Sequence, residues 1–269
     1  MYPILSVLGL SLGTYGICCV LGGIFAILLA LHNAKQIQLA RFSMLEACVF
    51  ILFGGLLGAK LLYLLVSYSD IHQMFQTYGI TWETVSSILE GGFVFYGGLI
   101  GGLAALAIYT HKQQQPMQRY LICIAPAVPL AHAFGRIGCF FAGCCYGIPF
   151  DPPIGICLKN AISNAPKDIP LFPVQLLESG LNLVLALVLQ LCFRKLQKKE
   201  RVIPFYLLAY AIIRMVTEQF RYDAERGIWL GLSTSEWISI GIFICGLVLL
   251  FLQKYKISKW KSPVKFTKK

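Results

Sequence analysis

The chain has 269 residues, of which 57% are hydrophobic and only 13% charged, and its mean hydropathy is +0.71. Its apolar residues form runs of about 18 or more, which is long enough to cross a bilayer and excludes an ordinary soluble protein. The net charge of +11 could suit nucleic acid. However, basic residues also line the cytoplasmic side of anionic membranes, so we predict a membrane partner and no nucleic-acid partner.

Seven apolar runs follow one another along the chain. They cover residues 11–31, 43–66, 93–110, 119–135, 174–193, 202–220 and 236–252. The fourth run contains Pro126 and Pro129, which predicts a kink or a break because proline removes a helical hydrogen bond. The first run has no basic flank and no small-residue cleavage site, so we predict no cleaved signal peptide. The sequence therefore predicts an all-α integral membrane protein with about seven transmembrane helices, a single polytopic domain over residues 1–269.

The distribution of lysine and arginine predicts the orientation. Both residues are concentrated on alternate connections, most densely at 194–201 and in the basic tail, 253–269. Because cytoplasmic connections are enriched in Lys and Arg, the N-terminus is expected outside and the C-terminus in the cytoplasm. The segment 135–173, which contains several cysteines, is then exoplasmic.

In this orientation, all seven runs carry an ionisable or phenolic side chain in the outer half of the bilayer. These side chains are Tyr15, Lys60, Tyr96, Arg136, Glu178, Arg214, Glu218, Arg221 and Glu236. Each charged group could be half of a buried ion pair. A whole set at one depth instead favours a functional site, because intramembrane charges are costly and usually mark function.

Two of the runs place polar residues on one helix face. Gln175 and Glu178 are separated by three residues at the start of the fifth run. Arg214, Glu218 and Arg221 have i, i+4, i+7 spacing and would form one stripe, in which Glu218 can pair with either arginine. The surplus arginine suits a phosphate group, which arginine binds through two parallel hydrogen bonds.

Glycines four residues apart recur in the second and third runs. The pairs are Gly54 with Gly58, Gly97 with Gly101, and Gly98 with Gly102. Such pairs allow two helices to approach closely. Gly97 and Gly98 also follow Tyr96 directly, so a lipid chain could lie against their bare backbone instead.

Residues 132–147 combine glycines with Arg136 and three cysteines, Cys139, Cys144 and Cys145. Small residues around an arginine at the membrane surface suggest that a phospholipid headgroup approaches it. The thiols have four possible roles: a disulfide in an oxidising compartment, a base or nucleophile of lowered pKa, a zinc site with His132, or packing.

Taken in order, these motifs resemble those of the bacterial prolipoprotein diacylglyceryl transferases, and the resemblance covers nearly the whole chain. The motifs are Tyr15-Gly16, Gly58-Ala59-Lys60-x-x-Tyr63, Tyr96-Gly97-Gly98, Gly135-Arg136-Ile137-Gly138, Pro173-Val174-Gln175-Leu176-Leu177-Glu178 and Arg214-x-x-x-Glu218-x-x-Arg221. The chain departs from the family pattern at several of these positions. Lys60 replaces an arginine, Tyr96 replaces a histidine, and Cys139, Ala142 and Cys144 replace two asparagines and a glutamate.

The resemblance implies an enzyme of the bacterial cytoplasmic membrane. It would transfer a diacylglyceryl group from phosphatidylglycerol to the lipobox cysteine of prolipoproteins, whose signal peptides it would bind, with no metal and no organic cofactor. Arg136 and Arg221 would stabilise the phosphate, and Tyr96 would be the base. The substrate-binding residues would be Tyr15, Lys60, Gly97, Gly98, Gln175, Glu178, Arg214 and Glu218.

Two functions of other classes remain open from the sequence. The vicinal Cys144 and Cys145 would suit a membrane thiol-redox protein, although the chain lacks the Cys-x-x-Cys motif at this point. Replacement of the family histidine by Tyr96 would suit a phospholipid-binding protein without catalysis.

Overall fold

The computed structural model of the protein describes residues 3–7, 10–163, 165–222 and 227–259. Most of the predicted basic tail, residues 260–269, lies outside the described residues. The chain divides into two compact units: residues 31–120 form one, and residues 1–30 together with 121–269 form the other. We call them the inner-sequence unit and the terminal unit, and describe each by itself.

Helices dominate both units. In chain order the elements are β1 (Ile4–Val7), β2 (Leu10–Gly13), α1 (Thr14–Gln36), α2 (Arg41–Val66), α3 (Tyr68–Tyr78), α4 (Trp82–Glu90), α5 (Phe95–Lys112), α6 (Met117–Ile124), α7 (Ala127–Ala142), α8 (Val174–Lys195), a 3-10 turn (Lys199–Arg201), α9 (Val202–Glu218), β3 (Ile228–Trp229), β4 (Leu232–Ser233) and α10 (Thr234–Lys259).

Four helices of the described chain, α1, α2, α8 and α10, are long and apolar enough to cross a membrane. The helices α6 and α7 are long and apolar enough only when they are taken together. They are bent by 46° relative to each other and, counted as one broken span, give a fifth. The predicted break in the fourth run is thereby confirmed, with Pro126 at the start of α7. The predicted all-α membrane fold is thus confirmed with four or five candidate spans in the described chain. The count of seven spans and the orientation of the termini remain predictions.

Local sequence explains several helix ends. The Thr81 side chain accepts a hydrogen bond from the Thr84 N–H at 3.2 Å and so caps α4. Gly143 ends α7 with φ of 74°, a left-handed conformation that glycine adopts at little cost. The hairpins β1–β2 and β3–β4 and the helices α3 and α4 were not predicted, because each is too short to produce a clear hydrophobic period.

In the inner-sequence unit, α2 packs on α5 through the predicted glycines. A methyl group built on Gly58 would overlap the Gly97 carbonyl oxygen, and one on Gly101 would overlap the Gly54 carbonyl oxygen. Backbone therefore faces backbone along this interface, which confirms the close-approach role of the glycine pairs.

Gly101→Ala is expected to destabilise the inner-sequence unit by about 1–3 kcal/mol, because the added methyl group must push the Gly54 backbone away. Denaturant or thermal unfolding of the protein in detergent measures this. Gly23→Ala in α1 is the matched control, because the added carbon meets no described side chain and no backbone outside its own helix within 4 Å. Equal stability of the two variants would contradict the role given to this interface.

Candidate active site

A buried carboxylate, that of Glu178, is the centre of the charged cluster in the terminal unit. Glu178 lies in the first turns of α8 and is 1% exposed. Its Oε2 is 3.0 Å from Arg136 Nε, and its Oε1 is 3.5 Å from His132 Nε2 and 3.7 Å from Arg214 Nη1. Helices α7, α8 and α9 therefore meet around one negative charge, which offsets the cost of burying the two guanidinium groups.

Arg214 is fixed from two further sides. Its Nη2 lies 2.8 Å from Glu218 Oε2, the pair predicted from their i, i+4 spacing. The same nitrogen donates a hydrogen bond to Ser235 Oγ at 2.8 Å, at the start of α10. A guanidinium held by Glu178, Glu218 and Ser235 is rigid, so it can orient the Glu178 carboxylate.

The predicted helical stripe of three residues on α9 is wrong at Arg221. Helix α9 ends at Glu218, and Arg221 forms an isolated antiparallel bridge with Gly147. The backbone leaves the helix through i→i+3 hydrogen bonds, such as Arg221 N–H to the Glu218 carbonyl at 3.1 Å. Arg221 therefore lies after the end of α9 and pairs with the loop that follows α7, and it is not on the helix face that carries Arg214.

Three thiols gather at the end of α7. The sulfur atoms of Cys139, Cys144 and Cys145 all lie within 4.8 Å of one another. The backbone makes this possible, because Gly143 and Cys145 both have positive φ, 74° and 56°. A positive φ is uncommon for a cysteine. At Cys145 it turns the backbone so that the Cys144 and Cys145 thiols both lie close to the Cys139 thiol.

Gln175 holds this loop in place. Its Nε2 donates a hydrogen bond to the Cys144 carbonyl at 2.8 Å, and its side chain is buried. The position that the sequence suggested for substrate binding therefore supports the thiol loop directly. The end of the loop is hydrogen-bonded to the segment that follows α9, because the Ile148 N–H donates to the Phe220 carbonyl at 3.0 Å.

The surroundings of the loop favour a thiolate at one of the three cysteines, Cys145. Hydrogen bonds from the Cys139 and Cys144 thiols lower the pKa of the Cys145 thiol, and the charges of Arg221 and Arg136 lower it further. All ten cysteines lie within the described residues, and all are free thiols. The disulfide, one of the four roles considered from the sequence, is therefore not formed in this structure.

Tyr15, near the start of α1, packs against α7, the helix that carries Cys139. A carbon added at Gly138 would lie 3.1 Å from the Tyr15 ring, so this glycine provides room for the ring beside α7. The Tyr15 side chain is 49% exposed. Its ring lies against Gly138, and its role in substrate binding remains a prediction.

Lys60, in the inner-sequence unit, has a structural role. Its ammonium group donates three hydrogen bonds at 2.6–2.9 Å, to the carbonyl oxygens of Ile88, Leu89 and Gly91. These carbonyls end α4, where a positive charge is favourable. An ammonium group has three donors, so Lys60 could bind a substrate phosphate only by releasing α4.

The other predicted residues of the inner-sequence unit lie at the start of α5. Tyr96 is the second residue of this helix and is partly buried. Gly97 is buried against Gly58, whereas Gly98 approaches α2 less closely, with 3.4 Å from an added carbon to the Gly55 carbonyl oxygen. Packing therefore accounts for Gly97, and a lipid-facing role remains a prediction for Gly98.

Sequence reasoning gave too little weight to two residues of the cluster. His132 was considered only as a metal ligand, but its ring lies beside Glu178 and accepts from Arg136 Nε at 3.3 Å. The i, i+4 spacing of His132 and Arg136 was the available signal. Ser235 gave no signal, because a single serine at a helix start usually serves as a cap.

Comparison with known proteins shows which chains this sequence resembles. The family model described as prolipoprotein diacylglyceryl transferase matches residues 3–252. The phosphatidylglycerol–prolipoprotein diacylglyceryl transferase of Clostridium tetani is 34% identical over 95% of this chain and 99% of its own length. The transferase 2 of Clostridium perfringens is 34% identical over 93% of this chain and 94% of its own, and the Streptococcus uberis enzyme is 29% identical over 89% and 90%.

The matched region contains every predicted site residue, including Arg136, Glu178, Arg214 and Arg221. Its ordered motifs and the buried charged cluster thus occur together in one chain. On the length of the match and on the identity to these relatives, this chain belongs to the prolipoprotein diacylglyceryl transferase family.

Proposed function

We propose that the protein transfers a diacylglyceryl group from phosphatidylglycerol to the lipobox cysteine thiol of prolipoproteins. The observation that carries this proposal is the buried Arg136–Glu178–Arg214 cluster, present in a chain that belongs to this family. Both substrates reach such a site through the membrane, the phospholipid from the outer leaflet and the prolipoprotein by its signal peptide.

The reaction is an S-alkylation. The thiol of the acceptor loses its proton, and the thiolate forms a bond to the terminal glyceryl carbon of the diacylglyceryl group. The bond between that carbon and the phosphate oxygen breaks, and glycerol phosphate leaves with the electron pair. Catalysis therefore needs a base for the thiol and positive charge for the leaving phosphate.

Arg136 is suited to the leaving phosphate. Its Nε is engaged by Glu178 at 3.0 Å, so a two-pronged contact to phosphate would use the two terminal nitrogens. Glu178 fixes the plane of the guanidinium, and Arg214 with Glu218 fixes Glu178 in turn. Arg221 would supply the second positive charge from the loop beside the thiols, where it bridges to Gly147.

Three arginines and two glutamates make up this set: Arg136, Arg214, Arg221, Glu178 and Glu218. Among these five side chains, one positive charge is in excess when the Cys145 thiol is protonated. A phosphate in a low-dielectric site would be attracted by that excess charge, whereas a neutral headgroup would gain little from it. The charge balance thus favours an anionic lipid such as phosphatidylglycerol.

The test is mass spectrometry of lipoproteins from bacterial cells in which this chain is the sole candidate transferase. Lipoproteins whose lipobox cysteine gains a diacylglyceryl mass support the proposal. Unmodified lipoproteins in cells that contain the inserted protein would contradict it, and would favour the phospholipid-binding alternative.

For the membrane topology we propose seven spans with the N-terminus outside and the C-terminus in the cytoplasm of a bacterial cell. The proposal adds α5 and α9, with 18 and 17 residues, to the spans described above and uses the distribution of Lys and Arg. A reporter fused after residue 253 should be active only in the cytoplasm, and one inserted near Asp70 or Lys167 only outside. An outside C-terminus would refute this topology.

Tyr96 is our proposed base, because it stands where the family has a histidine. Tyr96→Phe keeps the ring and removes only the hydroxyl, so we expect a loss of turnover of about 100-fold or more with lipid binding unchanged. Tyr78→Phe at the exposed end of α3 is the matched control. Full activity of Tyr96→Phe together with an inactive Cys144→Ser would move the base to the thiols.

A further inference from the structure

The thiol cluster of the terminal unit has no task in the transfer reaction as described. Cys139 is buried in the last turn of α7, and Cys144 and Cys145 are partly exposed in the loop that follows. We propose that Cys139, Cys144 and Cys145 form a three-thiolate binding site for one thiophilic metal ion, zinc or cuprous copper. This site goes beyond the proposed transferase function and does not depend on it.

The distances fit such an ion. Zinc–sulfur bonds are about 2.3 Å long, so three sulfurs around one zinc lie about 3.8 Å apart in tetrahedral geometry and about 4.0 Å apart in a trigonal plane. The three sulfur atoms of the cluster are already within 4.8 Å of one another. Rotation of the side chains would need to shorten the sulfur–sulfur distances by only about 1 Å or less for all three sulfurs to bind one ion.

The backbone prearranges the cluster. The Cys144 N–H donates to the Cys139 carbonyl at 3.1 Å, and Ser163 Oγ donates to the Gly143 carbonyl at 2.6 Å. With the hydrogen bond from Gln175 and the positive φ of Cys145, these contacts hold the loop from three sides. Positive φ in a residue other than glycine has a conformational cost, which a metal–thiolate bond would offset.

The surrounding charge suits thiolate ligands. Three thiolates around a divalent ion leave one net negative charge, and around a monovalent ion two. Arg221 and Arg136 both interact electrostatically with Cys145, so positive charge is available on the protein side. Thiolate ligands select zinc and cuprous copper over the hard cations magnesium and calcium, and three of them on zinc leave a fourth position open.

The experiment uses the full-length protein in detergent with all cysteines reduced. Cobalt(II), as a spectroscopic substitute for zinc, is expected to give a thiolate-to-cobalt charge-transfer band that saturates at one ion per chain and disappears when zinc is added. Cuprous copper is titrated separately against a chelator of known affinity, and the ion that is held more tightly is the preferred ligand.

Cys144→Ser should lower the metal affinity at least tenfold and weaken the band, whereas Cys157→Ser, at an exposed cysteine outside the cluster, should leave both unchanged. In wild type, bound metal should protect Cys139, Cys144 and Cys145 from alkylation while Cys157 still reacts. No saturable uptake of either ion, equal uptake by both variants, or unprotected cluster thiols would overturn the proposal. So would a disulfide between two cluster thiols in protein purified without oxidant.

Discussion

Replacing Arg136 by lysine is expected to lower the turnover number about 100-fold or more, the usual effect of losing one donor to developing negative charge. Lysine keeps the positive charge but loses the planar fork of donors. It cannot donate to Glu178 as Arg136 Nε does at 3.0 Å and still offer two parallel donors to a phosphate. The protein should nevertheless fold and insert, because a cation remains beside the buried carboxylate.

Turnover is measured in detergent or in vesicles that contain phosphatidylglycerol, with a lipobox peptide as the acceptor. Arg119→Lys is the matched control, because Arg119 donates only to peptide carbonyls of Ile37 and Gln38 and to the Gln115 side chain in the described structure. Wild-type turnover in Arg136→Lys would show that Arg136 is only a structural ion-pair partner.

Glu178→Gln is expected to reduce both activity and stability. The amide has nearly the same shape, but it removes the only carboxylate that the described structure places within 4 Å of both Arg136 and Arg214. Leaving buried charges without their partner costs about 3–5 kcal/mol, so the unfolding midpoint should fall. Turnover should also fall, because Glu178 no longer fixes the plane of the Arg136 guanidinium group.

Loss of activity could reflect unfolding alone. The affinity for phosphate and the turnover number are therefore measured separately, on protein that is still folded. A positioning role for Glu178 predicts a lower turnover number in the fraction of protein that remains folded, at a temperature well below the midpoint. Glu46→Gln is the control, since that carboxylate accepts from the Tyr109 hydroxyl at 2.9 Å in the inner-sequence unit. If folded Glu178→Gln has full turnover, the carboxylate is needed only for packing.

The fold was predictable from the sequence as far as single helices are concerned. Each apolar run, including the broken fourth one, corresponds to a helix or a bent helix pair, because a long apolar run is the strongest signal for a helix in a sequence of this composition. The glycine pairs correctly predicted a close helix interface, because glycines four residues apart lie on one helix face and leave room for the backbone of a second helix. The short hairpins and the helices α3 and α4 left no comparable pattern.

The sequence by itself determined the membrane character of the chain, its family and the residue types of the site, since hydropathy and ordered motifs are properties of the chain alone. Only the tertiary structure decided the partners. Glu178 is the common partner of Arg136 and Arg214, Lys60 caps α4, and Arg221 leaves the helix to join the cysteine loop. The reason is physical: a buried charge takes whichever partner the packing brings within about 4 Å, and that distance depends on how helices distant in sequence pack together.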